Sequence, residues 1–356
     1  MDIVFLVVAF VVILAGAELF TNGIEWFGRK LDLAEGAVGS VLAAVGTALP
    51  ETMIPIVAIA FAGSAGTVGD AHGIGVGAIL GAPFMLATLA MFVTGVAVLA
   101  EARKRPTGDR LLIKTDVVGK DVAYFLVAYV LAISVAFVPE NLGWLKIVAA
   151  ALLIVIYAVY VRAHFIADPD VDASDLAPLR FHRIDRGQHR LDPKVPRLRV
   201  VNLQVIAALA LIIAGAVVFV DAVQHLATQA GLPPTLLALV IAPIATELPE
   251  KFNSIIWVRQ GKDTLAMGNI TGAMVFQSCI PTVVALLFAA DAWTVDLNSS
   301  ESIITFASAG IAIAATVLIF WPMARRGALT GRNLLLGGVF YAAYVTLVVA
   351  HLAGWL

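Results

Sequence analysis

Two glutamates, Glu51 and Glu250, lie inside long apolar stretches, and each directly follows a Leu-Pro pair. A carboxylate in such a stretch loses its water, which is costly unless a cation, a proton or a hydrogen-bond donor replaces it. Acids in this setting therefore predict a functional site. The alternative is structural, with the carboxyl group kept protonated or paired with a buried lysine such as Lys251.

The prolines of these motifs, Pro50 and Pro249, indicate what kind of site the glutamates form. A proline inside a helix removes one backbone donor and clashes with the carbonyl group four residues back, which frees carbonyl oxygens. Those oxygens lie around Thr47 and Thr246, close to the carboxylates. Such an oxygen-rich site suits a hard cation such as Ca²⁺ or Na⁺. Two facing carboxylates would repel each other unless cations or protons lay between them.

Three more polar side chains, all in the second half of the chain, are candidate ligands of this site. Glu247 precedes Glu250 by three residues, so both acids lie on nearly the same helix face. Asn269 and Gln277 lie in a glycine-rich apolar stretch, where their amide groups either bind a cation or bridge helices that the glycines allow to approach closely. Other polar residues in apolar stretches are expected near helix ends or along a vestibule, namely Glu18, Asn22, Glu25 and Asp221.

Composition indicates that membrane-spanning helices position these residues. Of 356 residues, 61% are hydrophobic and 13% are charged, and the mean hydropathy is +0.95. A soluble domain has about 25% charged residues. So few charges cannot cover a soluble protein of this size, but they can cover the loops of a helical bundle in lipid. The predicted partner of the outer surface is the lipid bilayer, and no nucleic-acid partner is expected.

Apolar runs long enough to cross a bilayer, about 20 residues, predict ten transmembrane helices. The runs fall near residues 3–27, 36–62, 73–100, 117–138, 143–162, 200–222, 232–258, 264–290, 302–322 and 333–355. Lys and Arg residues cluster in every second connection, whereas the loops near 63–72, 223–231 and 291–301 contain none. The positive-inside rule then places the basic loops in the cytoplasm and both termini outside. The predicted location is the plasma membrane.

The two halves of the chain repeat each other in one register. Ala15-Gly16-Ala17 recurs as Ala214-Gly215-Ala216, and Leu49-Pro50-Glu51 recurs as Leu248-Pro249-Glu250, both with an offset of 199 residues (214 − 15 and 250 − 51). Several matches in one register are not easily attributed to chance.

Each half contains five predicted spans, an odd number, so the halves have opposite orientations in the membrane. The sequence therefore predicts inverted five-helix repeats at residues 1–162 and 200–356, joined by a hydrophilic cytoplasmic linker at 163–199. Inverted repeats are typical of secondary transporters, whose substrate site lies at the midplane between the halves.

The segments Gly46–Glu51 and Ala245–Glu250 resemble the paired motifs of the sodium/calcium exchanger family, within the cation/calcium exchanger superfamily. Gly268–Gly272 resembles the Gly-Asn-x-x-Gly motif that follows in that family. The resemblance covers both halves and implies a divergent prokaryotic-type, all-α alternating-access antiporter. It also implies that the two motif glutamates coordinate Ca²⁺ and that neighbouring Thr and Ser positions bind Na⁺. Glu51 and Glu250 are then the central ligands, with Thr47 and Thr246 beside them.

The chain departs from the family pattern where the family has serine or another polar residue. The substituted positions are Ala48, Ala82, Leu86, Glu247, Ala273 and Gln277. Several expected side-chain oxygens are therefore missing, and one carboxylate is added. Glu247 either compensates as a cation ligand or takes up protons, which leaves Na⁺ and H⁺ both open as the coupling ion.

These features together favour secondary exchange of Ca²⁺ against Na⁺ or H⁺, with small inorganic cations as cargo and no resident cofactor or catalytic residue. One alternative is an intramembrane enzyme with buried carboxylates in acid–base roles. It is disfavoured because the acids lie on interrupted helices of an inverted repeat. A passive cation channel is a further alternative. The sequence contains no nucleotide-binding loop, which argues against a primary pump.

Overall fold

The computed structural model of the protein describes residues 2–31, 33, 37–48, 52, 68–166, 176–185, 196–229 and 247–355. These residues are almost entirely helical. The α-helices are α1 (Asp2–Lys30), α2 (Ala37–Thr47, π-helical up to Ala43), α3 (Val68–Met85), α4 (Met91–Glu101), α5 (Thr115–Ser134), α6 (Trp144–Phe165), α7 (Leu198–Gln229), α8 (Leu248–Arg259), α9 (Asp263–Phe288), α10 (Ser300–Ala315), α11 (Trp321–Arg326), α12 (Gly331–Leu334) and α13 (Leu336–Leu352). π-Helical turns at Leu86–Ala90 and Thr316–Phe320 join α3 to α4 and α10 to α11. Short 3₁₀ turns lie at Val135–Phe137, Glu140–Leu142 and Arg180–Ile184.

Eight helical stretches within the described residues are long and apolar enough to cross a membrane. They coincide with eight of the ten predicted spans and confirm a helical membrane protein. The predicted spans at 36–62 and 232–258 are described only in part, as α2 and α8. The count of ten, the inverted arrangement and the outside termini therefore stay predictions.

Helix α9 is the central helix of the bundle. It packs against α2, α3, α5, α6 and α8, and 83% of its apolar core segment is buried. The corresponding fraction for α6 is only 28%. Helix α6 turns apolar side chains such as Ile147 and Val155 outward, as expected for a surface that faces lipid tails.

Helices α1 and α7 cross at two glycines whose contacts are reciprocal. A Cβ atom on Gly16 would lie 2.9 Å from Ile212 Cγ1, and one on Gly215 would lie 2.8 Å from Ile13 Cγ1. Both partner pairs keep the 199-residue offset of the repeat (215 − 16 and 212 − 13). A twofold relation between the two helices would produce this contact, which supports the predicted inverted repeat without establishing it for the whole chain.

Replacing either crossing glycine by alanine should destabilise the bundle to a similar extent. An added methyl group at these distances forces the helices apart, and overpacking of this kind typically costs about 1–3 kcal/mol. We expect Gly16→Ala and Gly215→Ala to lower the melting temperature of the detergent-purified protein by comparable amounts. A loss confined to one of the two variants would contradict the reciprocal contact.

A two-stranded antiparallel sheet lies on the predicted cytoplasmic side. Strands β1 (Arg110–Leu112) and β2 (Ala328–Thr330) pair Leu111 with Leu329. The Arg105 guanidinium donates to both Asp263 carboxylate oxygens at 2.7 and 2.9 Å, and the Leu112 N–H donates to the same carboxylate. The basic loop after α4 is therefore bound to the start of the central helix.

The predicted linker is partly packed onto the bundle. Helix α6 extends to Phe165 and α7 begins at Leu198, so the hydrophilic segment between the helices is slightly shorter than predicted. Of this segment, residues 176–185 are described: Leu179 is fully buried against Trp26, and the Trp26 indole donates to the Ala177 carbonyl at 2.9 Å. This part of the linker is therefore docked on α1. Residues 167–175 and 186–195 lie outside the described residues.

Candidate cation-binding site

Helix α8 presents Glu250 from its first turn because the helix begins at the second Leu-Pro-Glu motif. Glu247 is the residue before the helix, and Pro249 occupies one of its first positions. Proline is favoured there because the first helical N–H groups have no acceptor within the helix. That end of the helix carries a partial positive charge, which stabilises nearby anions. Thr246 lies outside the described residues.

The Glu250 carboxyl group is fully buried, and neither of its oxygens has a hydrogen-bond partner among the described residues. The Thr47 hydroxyl interacts with this carboxyl group, but its hydrogen bond of normal geometry goes to the Ala43 carbonyl at 3.0 Å. A buried carboxylate without donors is costly unless a positive charge lies against it. Glu250 therefore has the properties of a cation ligand or a proton acceptor.

Another fully buried acid, Asp121, differs from Glu250 because its carboxylate oxygens accept hydrogen bonds from several side chains. Its Oδ2 accepts hydrogen bonds from Ser40 at 2.7 Å and Thr271 at 2.6 Å, and its Oδ1 accepts one from Tyr160 at 3.0 Å. These partners come from α2, α9 and α6, so Asp121 fixes the packing of four helices. The chain thus supplies hydrogen-bond donors to the buried carboxylate of Asp121. The described residues supply none to the carboxylate of Glu250.

Asn269 connects the two halves of the chain next to Glu250. Its amide donates to the Glu250 backbone carbonyl at 3.1 Å, and its oxygen lies 3.4 Å from the Thr47 hydroxyl. All three residues are buried. Asn269 therefore bridges helices beside Glu250, and its role as a cation ligand stays a prediction.

Glycines bring α9 close enough to α2 for this contact. A Cβ atom on Gly268 would lie 2.7 Å from Ser40 Oγ, and one on Gly272 would overlap the Ser40 backbone carbonyl. The expectation that the glycine-rich stretch allows close helix approach is confirmed at both positions.

Glu247 is bound by a lysine of its own helix. Lys251 Nζ lies 2.9 Å from Glu247 Oε2, and the two side chains are 5% and 0% exposed. A structural lysine is thus present, but it pairs with Glu247 rather than with Glu250. The other Glu247 oxygen, Oε1, has no hydrogen-bond partner in the described part of the chain.

Of the remaining predicted site residues, only Gln277 is described, and no described contact joins it to this cluster. Gln277 is buried, and neither of its amide atoms has a partner among the described residues. It lies eight residues after Asn269 on α9, a rise of about 12 Å, and no contact of the described residues connects it to Glu250. Glu51 lies outside the described residues.

Two polar residues that the sequence analysis missed lie next to the site. The Thr21 hydroxyl of α1 contacts the Asn253 side-chain oxygen of α8 at 2.5 Å, and both residues are buried. The spacing of Glu247, Glu250 and Asn253 in steps of three puts these residues along one stripe of α8. That spacing was the available signal for Asn253.

A cleft of about 710 Å³ leads to this contact from the predicted cytoplasmic side. Acidic and polar residues of α1 line the cleft together with Arg180, Arg259 and Lys262. Two of the acids are ion-paired there: Lys262 Nζ lies 2.6 Å from Glu25 Oε1, and Arg180 Nη2 lies 2.5 Å from Glu18 Oε1. The α1 residues are Glu18, Thr21, Asn22 and Glu25. Glu18, Asn22 and Glu25 thus line one cleft, and their role as a vestibule stays a prediction.

A many-helix membrane bundle with a buried carboxylate that has no hydrogen-bond partner among the described residues is typical of membrane cation transporters. Within that class, the chain belongs to the sodium/calcium exchanger protein family, which matches residues 1–165 and 201–353. It is thus a cation antiporter and not an enzyme.

One relative and a solved structure resemble the chain over nearly its whole length, and a second relative resembles a short part of it. A protein of Alkalimonas amylolytica, described as the putative antiporter CaxA, is 27% identical over 353 residues, 96% of each chain. An uncharacterized membrane protein of Methanocaldococcus jannaschii is 37% identical over 57 residues, 16% of this chain and 19% of its own. The solved sodium-calcium exchanger NCX_Mj, soaked with Na⁺ and Ca²⁺, superposes with a TM-score of 0.68 at 15% identity and 97% coverage of both chains. That likeness shows a shared fold.

Proposed function

We propose that the protein exchanges Ca²⁺ for Na⁺ or H⁺ by alternating access through one midplane site built from its two Leu-Pro-Glu motifs. The observation that carries the proposal is the buried Glu250 carboxyl group without a hydrogen-bond partner among the described residues. Thr47 and Asn269 lie beside it. Glu51, at the equivalent position of the first repeat, supplies the second central carboxylate, and Thr246 is the counterpart of Thr47.

Charge explains why such a site would exchange cations rather than merely bind them. Two buried carboxylates are costly to leave uncompensated and repel each other. One Ca²⁺ supplies both positive charges. When Ca²⁺ leaves, monovalent cations or protons must replace it before the site can pass through its occluded state. The two half-reactions are therefore coupled through Glu51 and Glu250.

The packing of the two halves supports alternating access. Helices α1 and α7 meet through the reciprocal glycine contact, and Thr47 of the first half lies at 3.4 Å from Asn269 of the second. The cleft lined by Glu18 and Glu25 supplies an access route from the inner side. We place the protein in the plasma membrane with both termini outside, as the distribution of basic residues predicts.

The similar proteins support the same assignment. The Alkalimonas protein is described as a putative antiporter, and NCX_Mj is a sodium-calcium exchanger. Na⁺ and Ca²⁺ are therefore the first ions to test on this chain, with H⁺ beside Na⁺ because Glu247 adds a carboxyl group.

Flux in liposomes tests the proposal directly. The purified protein is reconstituted, and ⁴⁵Ca²⁺ uptake is followed with an outward Na⁺ gradient, an outward H⁺ gradient or neither. We expect one of the two gradients to drive uptake above the level of protein-free liposomes. If neither gradient does so, the proposed exchange is wrong.

A separate arm distinguishes an exchanger from a passive channel. A K⁺ diffusion potential, negative inside, is imposed with equal Na⁺ and pH on both sides. A channel would accumulate ⁴⁵Ca²⁺ under this potential alone, whereas an exchanger needs a counter-ion gradient for net accumulation. Equal uptake in the two situations would favour the channel.

A further inference from the structure

Lys251 and Glu247, four residues apart at the start of α8, form a buried ion pair next to the proposed cargo site. The ammonium lies 2.9 Å from Glu247 Oε2, and the side chains are 5% and 0% exposed. Glu250 immediately precedes Lys251 in sequence, yet its own oxygens receive no hydrogen bond from the described residues. The lysine ammonium thus donates its hydrogen bond to one of the two neighbouring acids, Glu247.

The equivalent positions of the first repeat carry uncharged residues instead of this ion pair. With the 199-residue offset, Glu247 corresponds to Ala48 and Lys251 corresponds to Thr52. Thr52 is buried and its hydroxyl donates to the Ala48 carbonyl at 2.8 Å. The acid and the base therefore occur together in one half and are both absent from the equivalent positions of the other. Each half contributes the same net charge at its motif, one negative charge from Glu51 or Glu250.

We propose that Lys251 is a built-in monovalent cation of the exchange site. Its ammonium neutralises Glu247, so Glu247 binds no transported ion, and one fewer monovalent cation is exchanged per Ca²⁺ than an unpaired Glu247 would require. This inference rests on the proposed function, because it specifies the charge that the same site presents to its cargo.

Energetics distinguish this role from that of a surface ion pair. Removing one partner of a buried pair leaves an uncompensated charge and is strongly unfavourable, whereas replacing both partners by neutral residues is often tolerated. In a cation exchanger that lacks the lysine, a transported cation can enter the site and neutralise the Glu247 carboxylate in place of the missing ammonium. A lysine ammonium is a compact point charge on a flexible stem, comparable in charge with the monovalent ion it would replace.

The test measures the coupling ratio, defined as the number of monovalent cations exchanged per Ca²⁺. The ratio is obtained in proteoliposomes from the Na⁺ or H⁺ gradient at which net ⁴⁵Ca²⁺ flux vanishes at a fixed Ca²⁺ gradient and membrane potential. We expect Lys251→Met to raise the ratio by about one, because an extra cation must neutralise Glu247. The double variant Glu247→Gln/Lys251→Met should return to the wild-type ratio, whatever its rate. An unchanged ratio in Lys251→Met overturns the inference, since a purely structural pair would alter the rate or the yield only.

A second measurement applies if Lys251→Met does not fold. Glu247→Gln keeps the volume of the side chain and leaves the Lys251 charge unpaired, where it repels an incoming cation. The Ca²⁺ concentration for half-maximal thermal stabilisation in detergent should then be about tenfold or more higher for Glu247→Gln than for the double variant, equivalent to about 1.4 kcal/mol. Equal midpoints would show that the lysine charge does not act on the cargo site, and the inference would be wrong.

The wild-type protein separates the two possible failures. If it exchanges no Ca²⁺ under either gradient, the proposed function has failed. If it exchanges Ca²⁺ while the variants keep its coupling ratio and the two midpoints coincide, only the role of Lys251 has failed.

Discussion

Glu250→Gln should reduce gradient-driven Ca²⁺ exchange by about a hundredfold or more while the protein stays folded, a loss of about 2.7 kcal/mol or more in stabilisation of the bound cation. The substitution keeps the shape of the side chain and removes its charge. The buried carboxyl oxygens have no hydrogen-bond partner among the described residues, so the folded state loses no described hydrogen bond of that side chain. The measurement is the initial ⁴⁵Ca²⁺ uptake per reconstituted protein, with the melting temperature as the test of folding.

Two further variants define the specificity of that loss. The repeat predicts that Glu51→Gln is equally severe. Glu101→Gln serves as the matched control, because Glu101 lies at the end of α4 and pairs with Lys104 and with Arg259, which lines the cleft but lies nine residues after Glu250 on α8, a rise of about 13 Å. Glu101→Gln should leave exchange near the wild-type level. Exchange near that level in Glu250→Gln would show that the cargo binds elsewhere.

Gly272→Ala should destabilise the protein by more than about 3 kcal/mol, the upper end of ordinary overpacking. Its new Cβ would overlap the Ser40 backbone carbonyl, and a backbone atom in a buried helix cannot move aside as a side-chain tip can. To relieve the overlap, α9 must move away from α2. That shift also separates Asn269 from Thr47, so transport should fall together with stability.

Gly310→Ala is the control for this effect, since a Cβ atom at Gly310 would meet no atom within 4 Å. Both variants add one methyl group to a glycine in a membrane helix. The melting temperatures of the two purified variants are compared with that of the wild type. A similar stability for Gly272→Ala and Gly310→Ala would refute the close contact between α9 and α2.

Local sequence signals predicted the cluster around Glu250 because the motifs fix it. The proline and the glutamate share one helix start, and the glycines of α9 allow Asn269 to reach the Glu250 carbonyl. Sequence patterns suggested Lys251 as a partner of the motif glutamates and did not pair it with Glu247, although residues four apart on a helix face each other and adjacent residues do not. Applied strictly, that rule pairs Lys251 with Glu247, and the role expected for Glu247 as a ligand or proton acceptor gives way to our proposal of an internally neutralised acid.

Contacts between distant segments were beyond the reach of sequence patterns. Thr21 and Asn253 are 232 residues apart, and nothing in either local sequence specifies their contact. The docking of Leu179 on Trp26 depends in the same way on where α1 stands in the bundle. Gln277 stays a prediction: it is buried and its amide atoms have no partner among the described residues, but it lies eight residues after Asn269 on α9 and no described contact joins it to Glu250.

The reciprocal contact of Gly16 and Gly215 has a mechanical consequence for the proposed cycle. The two helices make this reciprocal contact near the middle of their lengths, so the crossing can serve as a fulcrum. A lever supported at its midpoint swings its two ends in opposite directions. Rocking about the crossing would narrow the gap between the two halves at one membrane surface and widen it at the other. A single pivot would therefore prevent an ion path that is open to both sides at once.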